Sequence, residues 1–208
     1  MVATHRLRFP LTSDQARSFR VGDSVYLSGE IVLAAGLPTH QRILECLESG
    51  DPLPIDLHGS ALLHIGSYSR ERAADFEVLY INPTTSTRFN FCMPRIIREL
   101  GLCAVGGKGG LDAESARAMQ EVGCVYLSFL GGGCTLLSQA IRKVISVSWN
   151  DLVPQYRLVK LSVEELGPAT VGIDAHGNNV YASLQREAES KLPEIMEALN
   201  KERRTTAK

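Results

Sequence analysis

Several features that define common classes of protein are missing from this sequence. No apolar run approaches the roughly 20 residues that a membrane-spanning helix needs. Residues 1–10 alternate basic and apolar side chains and lack the apolar centre of a secretory signal peptide. The sequence therefore predicts a cytoplasmic protein that does not act in a membrane.

The chain also lacks an excess of charge of either sign. It carries 22 Lys and Arg residues against 23 Asp and Glu residues, for a formal net charge of −1. Proteins that bind nucleic acid or acidic membrane surfaces usually show a basic field or a basic stripe. We therefore expect neither partner.

Close pairs of metal-binding or redox side chains are absent. The five cysteines are odd in number and widely spaced, and none forms a C-x-x-C pair. This spacing argues against a disulfide framework and favours buried free thiols. The H-E-x-x-H and G-x-S-x-G motifs are missing as well. We expect no metal site built by this chain alone.

The pattern of elements predicts an α/β fold. Residues 24–33 and, later, 156–163 and 169–173 have the alternating or apolar character of strands. Between residues 102 and 149, short apolar strands, glycine loops and helices follow one another, which indicates central βαβ units. A C-terminal helix is expected over residues 184–201, with a break or restart near Pro193. The 208 residues fit one domain over 1–208, with a core over about 12–181.

Residues 82–90, Asn-Pro-Thr-Thr-Ser-Thr-Arg-Phe-Asn, contain the strongest functional signal. They lie between a predicted strand over 76–81 and a predicted helix over 93–100. A strand-to-helix turn presents free backbone N–H groups, hydroxyls add donors, and an arginine can grip a carboxylate with two hydrogen bonds. These residue types indicate an anion site. The alternative is a structural one, in which the hydroxyls only cap the helix.

Lys108 is the second candidate, because it lies among four glycines at 106–110. A phosphate-binding P-loop is excluded by spacing, since the glycine it requires would fall at Leu102 and no Ser or Thr follows the lysine. A small-anion site and an exposed loop lysine both remain open. The glycines at 131–133 favour tight strand–helix packing, and His176 in a turn favours a structural role.

The motif Pro-Thr-Thr-Ser-Thr-Arg at residues 83–88 resembles the G-P-T-T-S-x-R motif of class I fumarases and L-tartrate dehydratases. The resemblance is to the β subunit, equivalent to the C-terminal domain of the single-chain enzymes. It extends through residues 20–29, 107–110 and 173–179, which occur in the family's order. Together these anchors cover residues from about 12 to 181.

The resemblance implies a swivelling β/β/α domain with a mixed sheet. It implies an enzyme, a hydro-lyase that reversibly adds water to, or removes it from, a four-carbon dicarboxylate. The family's 4Fe-4S cluster is held by the α subunit, so the cofactor is expected on a partner chain and not on this one. A hetero-oligomer with a cluster-bearing α subunit is therefore expected.

The resemblance also implies roles for individual residues. Thr84 corresponds to the base that removes the substrate's C3 proton, and Lys108 is expected to assist it as a second catalytic residue. Thr85, Ser86 and Arg88 are expected to bind the substrate. Removing a weakly acidic proton next to a carboxylate requires cationic groups where the negative charge develops.

The chain departs from the family pattern at a substrate-binding loop. The family places an arginine–aspartate pair before the helix that begins near His40, but residues 34–39 read Ala-Ala-Gly-Leu-Pro-Thr. Arg42 or the partner subunit could supply the missing carboxylate contact. The departure leaves open a changed substrate, or a catalytically inactive relative that binds dicarboxylates in a regulatory role.

Overall fold

The computed structural model describes residues 3–72 and 75–206. The strands are β1 (Thr4–Arg8), β2 (Ser24–Leu33), β3 (Ala61–Leu63), β4 (Ile65–Arg72), β5 (Asp75–Pro83), β6 (Ala104–Gly107), β7 (Val125–Phe129), β8 (Ile141–Ser148) and β9 (Leu158–Ile173). The α-helices are α1 (Ser13–Arg17), α2 (Leu37–Ser49), α3 (Met93–Leu100), α4 (Ala113–Val122), α5 (Cys134–Gln139) and α6 (Val180–Thr206). Short 3₁₀ turns cover Ser86–Phe89 and Pro154–Tyr156. Within the described ranges, no helix is both long and apolar enough to cross a membrane.

The main sheet is mixed. Within the described residues its strand order is β1-β2-β3-β6-β7-β9-β8. The first five of these strands run parallel to their neighbours, whereas β9 is antiparallel to β7 and β8. β9 also pairs with the free edge of β2, so this long strand closes the sheet back on itself. This pairing covers an edge of β2 that would otherwise be exposed. Strands β1 and β8, at the ends of the strand order, each pair with one neighbour among the described residues.

Both faces of the sheet are buried, which explains the continuous apolar runs in the sequence. On β2, Ile31 and Leu33 belong to one hydrophobic cluster and Val32 to the other. On β7, Leu127 belongs to the first cluster and Tyr126 to the second. The second cluster is covered by helices α2, α3 and α4, which contribute buried residues such as Ile43, Ile96 and Met119. Alternation along each strand sends successive side chains to opposite faces.

Strands β4 and β5 form a separate antiparallel hairpin. Its return strand ends at Pro83, directly before the hydroxyl-rich stretch. In the main sheet, strand β6 ends at Gly107, directly before Lys108. The fold therefore brings the ends of β5 and β6 to the same place.

The predicted α/β class, with a mixed sheet and a central βαβ unit (β6-α4-β7), is confirmed. Some predicted details are wrong. Residues 158–173 form one strand, because β9 continues through its pairings with β2 and β7. The strand that follows helix α5 was expected to continue the series of parallel strands. It is β8, which pairs antiparallel with β9. Helix α6 runs unbroken through Pro193.

Candidate active site

Thr84 and Lys108, far apart in sequence, are joined through their backbones. The N–H of Lys108 donates to the carbonyl of Thr84 over 3.0 Å, and the N–H of Ser86 donates to the carbonyl of Lys108 over 2.8 Å. These bonds form an isolated parallel bridge between Thr85 and Lys108. The bridge extends the sheet by one step and fixes the hydroxyl-rich turn against the glycine loop.

Arg88 is folded back onto the turn that carries it. One terminal nitrogen of the guanidinium donates to Oγ1 of Thr84 over 2.5 Å and to the carbonyl of Ala35 over 3.4 Å, while Nε donates to the carbonyl of Thr85 over 3.3 Å. The 3₁₀ turn makes this return possible, because it brings Arg88 back toward the end of β5. A fixed cation that donates to a hydroxyl oxygen stabilises negative charge on that oxygen.

These groups line an open cleft with a volume of about 460 Å³. Thr84, Arg88 and Lys108 form its cationic side. The remaining lining includes aromatic, apolar and amide side chains: Tyr80, Asn82, Val153, Gln155 and Tyr156. Ala35, Gly66 and Pro83 complete the lining. Among the residues that the structure describes, no carboxylate lines this cleft, so an anionic ligand meets attraction without repulsion from them.

Ser86 lies beneath this cleft and not in it. Its side chain is fully buried, and its hydroxyl is 2.8 Å from Nδ1 of His64 and 2.8 Å from the hydroxyl of Tyr126. The Tyr126 hydroxyl in turn accepts a bond of 3.3 Å from the N–H of Gly110. In this conformation Ser86 connects the hydroxyl-rich turn to the glycine loop and does not face the substrate cleft. Thr85 is only partly buried and lies beside Gly109.

The glycines around Lys108 are required by close packing. A Cβ at Gly107 would collide with the Ser86 hydroxyl and would lie 3.0 Å from the carbonyl oxygen of Thr84. Gly110 has a φ of +79° and packs against the ring of Tyr181, which leaves no room for a side chain. The glycine loop at 131–133 borders the Lys108 side chain, since a Cβ at Gly131 would lie 4.0 Å from Nζ.

Arg42 does not replace the missing loop arginine. Its guanidinium forms two hydrogen bonds to the Asp151 carboxylate, over 2.9 and 2.7 Å, and lies over the ring of Trp149. The nearby loop instead packs against Tyr156, whose ring would be 2.5 Å from a Cβ at Gly36. The described lining of the cleft therefore contains an aromatic ring beside this loop, and its cations are Arg88 and Lys108.

Two buried histidines support the site from below. His40 stacks on the ring of Phe89 with a centroid separation of 3.8 Å, and the ring of His64 contacts the rings of both His40 and Phe89. Burial, together with the smaller effect of the nearby Arg88 cation, lowers the pKa of His40 to about 4. Burial, His40 and Arg88 hold the pKa of His64 well below its ordinary value. Both imidazoles are therefore neutral at physiological pH, and each leaves its Nε2 without a hydrogen-bond partner.

Residues 20–29 and 173–179, which also resemble the family, include side chains with structural roles. The buried carboxylate of Asp174 accepts hydrogen bonds from the backbone of Val21, His176 and Asn178. The ring of His176 is 2.7 Å from the Arg17 carbonyl and lies outside the cleft. These bonds tie the turn after β9 to the segment after α1, so His176 has the structural position expected from the sequence.

Three of the cysteines, Cys92, Cys103 and Cys124, are buried thiols that do not fit an iron–sulfur cluster. Cluster ligands are thiolates, but burial raises the pKa of Cys92 to about 12 and that of Cys103 to about 11. Burial likewise holds the pKa of Cys124 well above its ordinary value. Across residues 3–72 and 75–206, no group of three or more His, Cys, Asp or Glu side chains is arranged to hold a metal ion.

Sequence reasoning found the cationic side of the cleft but missed its opposite wall. Tyr156 and Gln155 come from a 3₁₀ turn that carries no motif, so no sequence signal marked them. Tyr126 was assigned only to a strand. Its hydroxyl links Ser86 to Gly110, a contact that becomes visible only after β6 and β7 are paired.

The chain is similar to known proteins over most of its length. The family model described as "Fumarase C-terminus" matches residues 2–184. A protein of Methanocaldococcus jannaschii named "Putative L(+)-tartrate dehydratase subunit beta" is 33% identical over 187 residues, which cover 89% of this chain and 95% of that protein. The "L(+)-tartrate dehydratase subunit beta" of Escherichia coli is 30% identical over 193 residues, or 93% of this chain and 94% of that protein.

A third relative shows the same unit within a longer chain. The "Putative fumarate hydratase class I" of Geobacillus stearothermophilus is 29% identical over 192 residues, which cover 92% of this chain but 36% of that protein. The match of the family model over most of the chain, together with these relatives, shows that this protein belongs to the fumarase C-terminal family.

Proposed function

We propose that this chain is the β subunit of an iron–sulfur-dependent hydro-lyase that acts on a four-carbon dicarboxylate of the fumarate/malate or tartrate/oxaloacetate type. The single observation that carries the proposal is the contact between the Arg88 guanidinium and the Thr84 hydroxyl in an open cleft whose described lining contains no carboxylate. The names of the relatives, which include tartrate dehydratase and fumarate hydratase, support the reaction class.

In the proposed reaction, Thr84 acts on the C–H bond next to a substrate carboxylate. Dehydration breaks this C–H bond and the neighbouring C–OH bond, and forms the C=C bond and water. Oγ1 of Thr84 takes the proton, and Arg88 stabilises the negative charge that makes this oxygen basic. The Lys108 ammonium binds a substrate carboxylate and stabilises the charge that develops on it.

The remaining site residues position these groups. Thr85 pairs with Lys108 through the backbone and lies at the edge of the glycine loop, where its hydroxyl contributes to substrate binding. Ser86 acts from beneath, since its buried hydroxyl bonds to His64 and Tyr126. Ser86 therefore holds the turn in place, and the neighbouring Thr84, Thr85 and Arg88 contact the substrate.

The proposal places the 4Fe-4S cofactor on an α subunit and not on this chain. The raised pKa of the buried thiols agrees with that placement. The cleft is open and includes apolar side chains at its mouth, because Tyr80 is 41% exposed and Val153 is 54% exposed. We infer that the α subunit covers this mouth and that the active enzyme is a hetero-oligomer.

The test is an anaerobic assay of this chain produced together with its cluster-bearing α subunit. Hydration and dehydration are followed with fumarate, malate and the tartrates. The expected result is turnover of one of these substrates, and a loss of at least ~10²-fold in kcat for Thr84→Ala. Thr87→Ala is the matched control, because Thr87 is an exposed hydroxyl in the same turn that does not line the cleft. Equal kcat values for the two variants would remove Thr84 as the base.

A second candidate function rests on the aromatic side of the cleft. Arg42 is paired with Asp151, and Tyr156 packs against the loop where the family has its arginine. A chain with fewer cations in its cleft could bind a dicarboxylate in a regulatory role without turnover. Calorimetry on the cluster-loaded complex distinguishes the two functions. Dicarboxylate binding with no product across the panel supports the regulatory role.

A further inference from the structure

His64 lies between the two segments that form the cationic side of the cleft. Its backbone N–H donates to the carbonyl of Gly106, two residues before Lys108, over 2.6 Å. Its carbonyl accepts a 2.8 Å hydrogen bond from the N–H of Thr84. The imidazole is fully buried, and its Nδ1 is 2.8 Å from the Ser86 hydroxyl. His64 is therefore in direct contact with both segments whose spacing defines the site.

A chain of buried hydrogen bonds leads from the glycine loop to the imidazole of His64. The N–H of Gly110 can only donate, so the Tyr126 hydroxyl oxygen accepts from it over 3.3 Å. The Tyr126 hydroxyl is 2.8 Å from the Ser86 hydroxyl, which is the group that reaches Nδ1 of His64. The side chains of Tyr126, Ser86 and His64 are all fully buried. Each proton of this chain therefore needs an acceptor within the protein.

The protons of this chain can run in two directions, which differ in the number of buried polar atoms left unpaired. If Tyr126 donates to Ser86 and Ser86 donates to Nδ1 of His64, the Nε2–H of His64 is the one member of the chain without a partner among the described residues. If His64 instead donates from Nδ1, the Tyr126 hydroxyl proton has no acceptor there and the Nε2 lone pair of His64 has no donor. Each unpaired buried polar group lowers stability, so the first direction is favoured.

The first direction assigns one tautomer to His64. Burial, the neighbouring His40 and the Arg88 cation hold the pKa of His64 well below its ordinary value, so the ring carries a single proton. With Nδ1 accepting, that proton is on Nε2. His40 is the opposite case, because its Nδ1 is 2.8 Å from the carbonyl of Gly36, which can only accept. The two adjacent histidines therefore hold different tautomers.

The unpaired Nε2–H of His64 is a cost that its other contacts must offset. Buried polar groups without a partner are few in folded proteins, and a functional role is one explanation for them. At His64 that explanation has a direct route to the site, since the same residue bonds to Ser86 through its ring and to Thr84 through its backbone. A connected buried network of this kind holds its members in one geometry.

We propose that His64 is a positioning residue for the reaction and that it acts as the Nε2–H tautomer. Its Nδ1 accepts the Ser86 hydroxyl proton and so fixes the turn that carries Thr84, while its backbone fixes the strand that ends before Lys108. His64 is not among the described residues that line the cleft, so it acts through Thr84 and Lys108. The positioning role rests on the proposed hydro-lyase function, whereas the tautomer does not.

The first test measures the tautomer of His64 by ¹⁵N NMR on the full-length chain, without any α subunit. The shift of each ring nitrogen shows whether that nitrogen carries a proton. The signals of His64 are identified by their loss in His64→Asn. The expected result near neutral pH is a protonated Nε2 and an unprotonated Nδ1, with the opposite pattern at His40. A protonated Nδ1 at His64 would overturn the assignment.

The second test compares two amide substitutions in the complex with the cluster-bearing α subunit. His64→Asn places an amide oxygen near the position of Nδ1 and keeps an acceptor for Ser86, whereas His64→Gln places its amide near the position of Nε2. We expect His64→Gln to lower kcat by roughly 10²-fold with KM unchanged, because a small displacement of the base is costly while the substrate contacts remain. His64→Asn is expected to retain about tenfold more of kcat than His64→Gln.

The matched controls are His58→Asn and His58→Gln, because His58 is exposed and pairs with Asp56. Both controls are expected to keep the kcat of the unsubstituted complex. Urea denaturation gives the stability of every variant, so that a loss of kcat is separated from a loss of folded protein. Equal kcat values for folded His64→Asn and His64→Gln would overturn the positioning role.

The backbone amide signals of Thr84 and Lys108 report the geometry without enzyme activity. Both signals are expected to move in His64→Gln and to remain near their original positions in His64→Asn. Unchanged signals in His64→Gln would overturn the positioning of these two residues. Absence of turnover in the unsubstituted complex would instead overturn the hydro-lyase function, so the two failures are distinguishable.

Discussion

The backbone N–H of Lys108 donates a 3.0 Å hydrogen bond to the carbonyl of Thr84. This bond sets the distance between the proposed base and the proposed carboxylate-binding cation through main-chain atoms. Side-chain rotamers can change without breaking this hydrogen bond, whereas a movement of either loop would break it. The geometry of the site is therefore controlled by the packing beneath the two loops.

Replacing Arg88 by lysine should reduce activity although it preserves the charge. The guanidinium donates to both Oγ1 of Thr84 and the carbonyl of Thr85, and a single ammonium cannot reproduce this fork. We expect kcat of the complex with the α subunit to fall by roughly 10–10³-fold, in the range seen when one stabilising donor is lost. Arg95→Lys is the control, because Arg95 bonds to Glu48 and Glu99 on the helix surface. Full activity of Arg88→Lys would contradict the assigned role.

Removing the Tyr126 hydroxyl should destabilise the protein. Tyr126→Phe leaves the Ser86 hydroxyl and the N–H of Gly110 each without one buried partner. We expect the free energy of unfolding to fall by about 1–3 kcal/mol, measured by urea denaturation. Tyr26→Phe is the comparison, since Tyr26 is only partly buried and its ring lies beneath Arg6. Equal stability of the two variants would show that the buried network carries no net free energy.

Phe89 should contribute strongly to stability, because it is fully buried between His40 and His64. Phe89→Ala is expected to lower the free energy of unfolding by about 3–5 kcal/mol, since it leaves a cavity under the hydroxyl-rich turn. Phe91→Ala provides a matched control two residues away, because Phe91 is 61% exposed. A small effect at Phe89 would mean that the turn collapses around the cavity.

The buried histidines should make the fold sensitive to mild acid. The pKa of His40 is lowered from 6.5 to about 4 in the folded chain. Between these two pH values the unfolded chain binds a proton that the folded chain does not bind. The free energy of unfolding is therefore expected to fall as pH decreases from about 6.5 to about 4, by up to about 3 kcal/mol for His40 alone. His64, whose pKa is also lowered, adds to the same slope.

Denaturant titrations across that pH range test this expectation. His40→Leu removes one titrating group and should flatten the dependence of stability on pH, whatever its effect on stability at neutral pH. His58→Leu is the control, because His58 is exposed and paired only with Asp56. An unchanged slope for His40→Leu would show that His40 is protonated in the folded state.

Local sequence signals predicted many of the elements well. Thr12 and Asp112 are residue types that favour the position before a helix, and the side chain of each accepts a hydrogen bond from the backbone of its helix. Residues 24–33 form the predicted strand. These elements follow from capping and from side-chain periodicity, which act over a few residues. The predictions for β8 and β9 were wrong because pairing with distant strands decided the outcome. The prediction for Pro193 was wrong because helix α6 continues through it.

The same division holds for the candidate site. The sequence by itself determined the chemistry, because the hydroxyls, Arg88 and Lys108 are the groups that recognise a carboxylate. Only the tertiary structure decided which hydroxyl faces the cleft, since the 3₁₀ turn leaves Thr84 beside Arg88 and buries Ser86 against His64 and Tyr126. It also decided that Arg42 pairs with Asp151. The physical reason is that neighbouring side chains on a turn point in different directions, and distant segments select which of them are buried.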